Sequence, residues 1–446
     1  MKGNGDVRNI VARPGITDKG DLRRNVDEVV LSSRVIDIHT HLFSNEFGRL
    51  NLYGIDNLLT YHYLVAELFR SASVTSDAFW RKSKTDQADL VWQTLFVENS
   101  PISEAARGVI TVLNAFGLDT SADRLDEARD YFRSRDIGVH LDHVLKFACV
   151  DSIVMTNDPF DSDEMEIWNS SGAIDPRFKA SLRMDRLLNN WPQTAEKLAG
   201  MGYLVDAHMS GETILEIRRY LDKCVERMRP LYMAVSLPDD FRYPAGDVRN
   251  RMINEIVLPT AREHRLPFAL MIGVRRGVNP ALRAAGDGVG RADVSAVERI
   301  CVENPDVRFL ATFLSRENQH ELCVSARKFD NLIPFGCWWF LNNPSIIAEI
   351  TTERLELLGT TFIPQHSDAR VLEHLIYKWQ HSRRVIADCL YNSYEQLLSV
   401  GRSVDRSMIS RDVEKLFVGN FSRWVGLDGV RVSGNGDRRT EDLVEM

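Results

Sequence analysis

Two histidines one residue apart close an apolar run, Val35-Ile36-Asp37-Ile38-His39-Thr40-His41. On a strand, residues i and i+2 point to the same face. His39 and His41 can therefore aim two imidazoles at one point past the strand's end. A divalent metal is held that way when a third, distant ligand completes the site. A bare H-x-H also describes two strand-end histidines with no ion between them. Other polar residues have a similar double reading. Arg183 and Asp185, again i and i+2, are an anion anchor or a structural salt bridge. Arg275-Arg276 meets an acidic ligand or only solvent. Trp338-Trp339 contacts a ligand or packs. In Gln365-His366-Ser367-Asp368-Ala369-Arg370, Asp368 has the residue type of a helix N-cap.

These residues gain meaning from the elements that must carry them. After Phe147, short apolar runs alternate with helical stretches. The runs are 150–156, 179–184, 232–236, 268–272, 308–312, 332–335 and 361–363, and with 35–39 they make eight. The helices between them include 191–199, 213–229, 248–264, 294–303, 318–329, 346–358 and 371–398. Such alternation means parallel βαβ units. Eight units predict an α/β fold closed as a barrel, with functional residues at the C-terminal strand ends. An open doubly wound sheet would want a glycine-rich first turn, and His39-Thr40-His41-Leu42 is not one. On this reading the paired residues above all converge on one rim.

Residues 43–147 lack good strands and read as a helical insertion over one end. Helical spacing covers 58–69, 125–135 and 139–147, and Ser100-Pro101 marks a helix start with Ser as N-cap and Pro in the first turn. The expected organisation is an N-terminal segment 1–34 with a short helix over 21–32, a barrel over 35–400, and a C-terminal helix and tail over 401–446. Gly286-Asp287-Gly288-Val289-Gly290 lacks the Lys-Ser/Thr of a phosphate loop and reads as a flexible loop.

The chain has 446 residues, 44% hydrophobic and 26% charged, enough for a large core. Its net charge of -8 gives no support to nucleic-acid or acidic-membrane binding. None of the six cysteines forms a C-x-x-C pair, which fits reduced, buried thiols in a cytoplasmic protein. No apolar run reaches the roughly 18 residues of a membrane span, and residues 1–20 lack the apolar core of a signal peptide.

Longer words narrow the reading. Asp37-Ile38-His39-Thr40-His41-Leu42, followed by a single Asp after strand eight, resembles the amidohydrolase superfamily. Leu59-Thr60-Tyr61-His62-Tyr63-Leu64, Phe178-Lys179-Ala180-Ser181-Leu182-Arg183-Met184-Asp185, Leu314-Ser315-Arg316-Glu317-Asn318-Gln319-His320, Phe335-Gly336-Cys337-Trp338-Trp339-Phe340 and Gln365-His366-Ser367-Asp368-Ala369-Arg370 resemble the uronate isomerase family. The resemblance spans about residues 35–398.

The resemblance implies interconversion of D-glucuronate with D-fructuronate, and of D-galacturonate with D-tagaturonate. It implies a distorted, TIM-like (β/α)8 barrel of the amidohydrolase type with a helical insertion after strand one. One divalent metal, with zinc the expected ion, would sit on His39, His41 and Asp368. The other active-site residues would be His62, Tyr63, Arg183 and Arg370. The partners expected are the hexuronate and further copies of this chain.

Aldose-to-ketose conversion moves one proton from C2 to C1 and another between the two oxygens. Asp368 is the candidate base. Arg370 would stabilise negative charge on the C1 and C2 oxygens, and Tyr63 would carry the proton between them. Arg183 offers a planar fork to the C6 carboxylate. His62, Trp338 and Trp339 would contact the sugar. His62 and Tyr63 lie on the insertion, as a cover that excludes water or as packing. His366 could stand behind Asp368, while His140, His143, His208, His264, His374 and His381 read as structural or surface residues. The alternative is a mononuclear metal-dependent hydrolase using a metal-activated water. Binuclear members of the superfamily use histidines after strands five and six and a bridging lysine. Here those strands end Leu270-Met271-Ile272-Gly273 and Leu310-Ala311-Thr312-Phe313, without histidine. Some uronate isomerases carry His where Met271 stands, which would put this chain in a branch without it.

Overall fold

A computed structural model describes residues 15–16, 18–170 and 172–427. Its strands are β1 Val35–Thr40, β2 Val150–Asn157, β3 Phe178–Arg183, β4 Met233–Pro238, β5 Phe268–Arg275, β6 Gly288–Val289, β7 Phe309–Phe313 and β8 Leu332–Pro334. They form one sheet in the order β1-β2-β3-β4-β5-β7-β8, with every neighbouring pair parallel. β6 pairs antiparallel with the end of β5, Val274 facing Val289. The expected flexible loop at 286–290 is thus corrected. Its two central residues complete a ladder that β5, running past the sheet's edge, leaves open.

The expected strand at 361–363 is also corrected. Only Ile363 bridges to Phe335. The segment then runs on as irregular backbone, bonded to β8 at one end and β1 at the other. Ile363 N–H donates to the Pro334 carbonyl at 3.1 Å, Asp368 N–H to His39 at 3.2 Å, and His41 N–H to Ala369 at 2.7 Å. Pro334 and Pro364 flank the break, and a proline has no N–H for a ladder.

The sheet carries two apolar layers. One face packs against the helices in the main core, with Ile153, Leu270 and Phe309 among its members. On the other face Ile36, Ile38, Val154, Ala269, Leu310 and Ile333 gather in a second cluster. Phe421, on the C-terminal helix Asn420–Trp424, joins this inner cluster. The Asn420 amide fixes that helix by donating to the carbonyls of Thr360 at 2.7 Å and Phe362 at 2.8 Å.

Between β1 and β2 the chain forms helices and no strand. Ser103, not Ser100, caps the helix Glu104–Ala115, accepting from the Ala106 N–H. Pro101 lies ahead of the cap, so the expected start was three residues early. The helical stretch expected over 58–69 breaks at Thr60-Tyr61, into Ile55–Leu59 and His62–Ser71. That break puts His62 and Tyr63 in the first turn of a helix. The helices Glu104–Ala115 and Ile137–Ala148 both pack on the long helix His374–Ser399.

Candidate active site and metal centre

A bulge in β1 sets the site. Asp37 pairs with Ile153 and Thr40 with Met155, so three steps on β1 meet two on β2. The extra residue reverses the alternation. Without it His39 would share the outer face with Asp37. With it His39 turns to the inner side, where its Nδ1 lies 3.2 Å from the Tyr232 hydroxyl. That hydroxyl donates to the Ile38 carbonyl at 2.6 Å, so it accepts from His39 Nδ1–H. The tautomer follows: Nε2 keeps its lone pair and faces Asp368.

His39 Nε2 stands 3.9 Å and His41 Nε2 3.3 Å from Asp368 Oδ1. The ligand atoms of these residues all lie within 4.8 Å of one another. Asp368 Oδ1 is buried without a hydrogen-bond partner. Burial pushes the His39 imidazole down to about 3 and that of His41 well below its ordinary value, with Arg370 and Arg183 adding repulsion at His41. Two neutral imidazoles facing one unpartnered carboxylate oxygen are the donor set a divalent cation takes. The residues present fit such an ion.

Asp368 is not the helix N-cap its residue type suggested, because the next helix begins at His374. It adopts a positive φ of 51°, a conformation that costs about 1–3 kcal/mol in a non-glycine residue. Backbone bonds on both sides hold it there. Ser367 N–H donates to Asp37 Oδ1 at 3.1 Å, and Ala369 N–H donates to Ser367 Oγ at 3.1 Å. Asp37 Oδ2 accepts from Trp379 Nε1 at 2.8 Å. Burial pushes the Asp37 carboxyl up to about 6. The aspartate of the Asp37-x-His-x-His word thus braces the loop that presents Asp368.

The other expected site residues divide. Arg370 Nη2 lies 3.4 Å from His41 Nε2. Arg183 ends β3, with Nη2 donating to Asp185 Oδ1 at 3.0 Å, while Asp185 Oδ2 accepts from the Ser236 N–H at 3.2 Å. The salt bridge is therefore real, and it aims the guanidinium into a cleft of about 560 Å³ over the ends of β3, β4 and β5. Asn189, Ser236 and Arg276 also line that cleft. Arg276 pairs with Asp287 at 2.5 Å and lies 5.5 Å from the Trp339 ring centroid. The His62 ring is 5.7 Å from Trp339 and 4.5 Å from Tyr63. Burial, then the charge of Arg370, pushes the His62 imidazole down to about 3. Trp338 differs from its neighbour: it is buried in the inner apolar cluster.

Several residues at the site were not expected there. Tyr232 was read only as the start of an apolar run. Tyr61 packs on His62 and His374 at ring distances of 4.1 and 4.4 Å. Lys378 is buried behind Tyr63. Of the histidines read as structural or surface residues, His140 is fully inside, 2.7 Å from Glu373 Oε1. His366 is buried with its ring 5.3 Å from that of His39. Met271 is buried among apolar side chains, so no histidine reaches the site from β5.

No protein-family model and no curated protein matches the chain. Solved structures do. A uronate isomerase from Bacillus halodurans C-125 is 51% identical, with a TM-score of 0.90 over 92% of this chain and 97% of that one. The chain belongs to the uronate isomerase family. Two more distant structures share the fold. The uronate isomerase from Thermotoga maritima, at 14% identity, has a TM-score of 0.74 over 92% of this chain and 99% of that one. The glucuronate isomerase from Caulobacter crescentus, at 15% identity, has a TM-score of 0.73 over 96% of this chain and 97% of that one. Within the uronate isomerase family the His39, His41 and Asp368 cluster, edged by Arg183 and Arg370, is the candidate active site.

Proposed function

We propose that this protein interconverts D-glucuronate with D-fructuronate and D-galacturonate with D-tagaturonate through an enediol. The observation that carries the proposal is the 51% identity to a uronate isomerase over nearly the whole of both chains. The site chemistry supports it: a neutral His-His-Asp cluster bordered by guanidinium groups suits a small anionic sugar. The strand ring is a distorted (β/α)8 barrel of the amidohydrolase type, in which residues 362–369 take the place of an eighth strand. The helical residues 43–147 form an insertion over its rim. The protein works as a cytoplasmic homo-oligomer. One zinc ion on His39, His41 and Asp368 would polarise substrate oxygens.

The residues divide the work. Arg183, held by Asp185, grips the C6 carboxylate with its free N–H groups. The second oxygen of Asp368 removes the C2 proton and returns it to C1. Arg370 lowers the energy of the negative charge that develops on the C1 and C2 oxygens. Tyr63 passes a proton between those oxygens. His62, neutral at working pH, and Trp339 contact the sugar and exclude water from the enediolate. Nothing favours the hydrolase alternative over this reading.

The test is to supply D-glucuronate and D-galacturonate separately and follow the products by NMR. The proposal expects the corresponding 2-ketose from each. Failure to form either ketose from metal-loaded protein would overturn it.

A further inference from the structure

Lys378 is a buried charge that the proposed reaction leaves unused. It is 2% exposed and lies near the start of the helix His374–Ser399. Its Nζ stands 5.4 Å from the Tyr63 ring centroid, 5.3 Å from that of Tyr377 and 3.9 Å from Glu104 Oε1. Glu104 Oε1 is itself buried without a hydrogen bond and is 3.9 Å from His381 Nδ1. The titratable and charged groups around the ammonium are His62 and Tyr63 from one helix, Glu104 and Arg107 from a second, His374, Tyr377 and His381 from its own, and His366 from the segment after β8. A lysine present only to neutralise Glu104 would close to hydrogen-bond length, because a buried charge is costly unless paired and hydrogen-bonded. This ammonium instead faces the rings of two tyrosines, an arrangement favoured by the ring quadrupole.

We propose that Lys378 is a positioning residue for Tyr63, holding its ring and stabilising negative charge on its oxygen during proton transfer. The proposal rests on the reading of Tyr63 as the carrier between the two substrate oxygens. In that step the phenol's proton goes to the aldehyde oxygen, and the proton of the C2 hydroxyl comes to the phenol. One O–H bond breaks and one forms at Tyr63, with no net change. Between the two transfers the phenol oxygen is negative. Burial, with Tyr61, Asp368 and Glu104 nearby, pushes the Tyr63 phenol well above its ordinary value. A cation beside the ring counters that cost.

Four variants decide the matter. Lys378→Met keeps most of the length and removes the charge. Lys378→Arg restores a cation. Lys378→Met with Glu104→Gln removes both buried charges, so it folds without a stranded carboxylate. With D-glucuronate as substrate, Lys378→Met should lose about 10- to 30-fold in kcat with KM changed by less than about twofold. Lys378→Arg should regain most of that loss. Because Glu104 itself pushes the Tyr63 phenol up, the reference for the double variant is Glu104→Gln alone. The double variant should melt like the wild type and be about 10- to 30-fold slower in kcat than Glu104→Gln. A double variant as fast as Glu104→Gln would overturn the proposal, because Lys378 would then serve only to offset Glu104. A raised KM with unchanged kcat would overturn it too. Wild-type protein inactive on both hexuronates would sink the functional reading and this proposal together, whereas an active wild type with a double variant as fast as Glu104→Gln sinks this one alone.

Discussion

Tyr232→Phe isolates the contribution of a single hydroxyl to the candidate metal centre. In the native chain that hydroxyl accepts from His39 Nδ1–H and donates to the Ile38 carbonyl. Phenylalanine keeps the ring in the inner cluster and removes both bonds. Two buried polar groups lose their partner, at about 1–3 kcal/mol each. The imidazole can relieve its share by moving its proton to Nε2. That nitrogen then has no lone pair for an ion. Groups that hold a metal-ligating histidine in this way contribute about 10–100-fold in affinity, or about 1.4–2.7 kcal/mol. The assay is zinc competition against a chromophoric chelator at neutral pH, with circular dichroism to confirm the fold. The dissociation constant should rise about 10- to 100-fold. An unchanged constant in a folded Tyr232→Phe variant would refute the tautomer argument.

Other outcomes follow from the same geometry. Arg183→Lys should cut kcat/KM by about tenfold or more, because an ammonium bound to Asp185 has no second planar fork for a carboxylate; unchanged kinetics would make Arg183 purely structural. Burial pushes the Glu164 carboxyl from 4.5 up to about 7. The folded chain then keeps a proton that the unfolded chain releases, so this group's effect is a loss of stability as pH rises from about 4.5 to 7. Glu164→Gln removes that loss and should be about 3 kcal/mol more stable than the wild type at pH near 8, with little difference near pH 4, in denaturant titrations; an equal effect at both pH values would contradict the assignment. Asp368→Asn should lower isomerisation by at least about 10²-fold, and a variant with bound metal and normal turnover would remove Asp368 from the role of base.

Much of this was legible in the sequence because it is local. Seven of the expected strands appear as parallel neighbours in chain order, since short apolar runs between amphipathic helices have few other packings. The eighth was not legible: 361–363 has strand-like composition, but the prolines at 334 and 364 and the loop to Asp368 leave only a bridge at Ile363. The pairing of His39 with His41 was correct in outcome and incomplete in reason. Alternation puts them on one face, but only the β1 bulge makes it the inner face, and a bulge has no residue signature here. Asp368 as a helix cap failed because tertiary bonds from Asp37 and His39 hold its backbone in a left-handed turn. Tyr232 and Lys378 carry no motif at all. Their partners lie 193 residues away at His39 and far upstream at Tyr63, a proximity that only the fold creates.

The most direct test of the account is isomerisation of D-glucuronate in D2O, read by NMR at C1 of the ketose. Proton removal from C2 by Asp368 leaves the carboxylic proton open to exchange before it reaches C1. The account therefore predicts measurable deuterium at C1 of D-fructuronate formed by the wild-type enzyme. Complete retention at C1 of the hydrogen that began on C2, even at long reaction times, would contradict transfer through an exchanging Asp368 carboxyl.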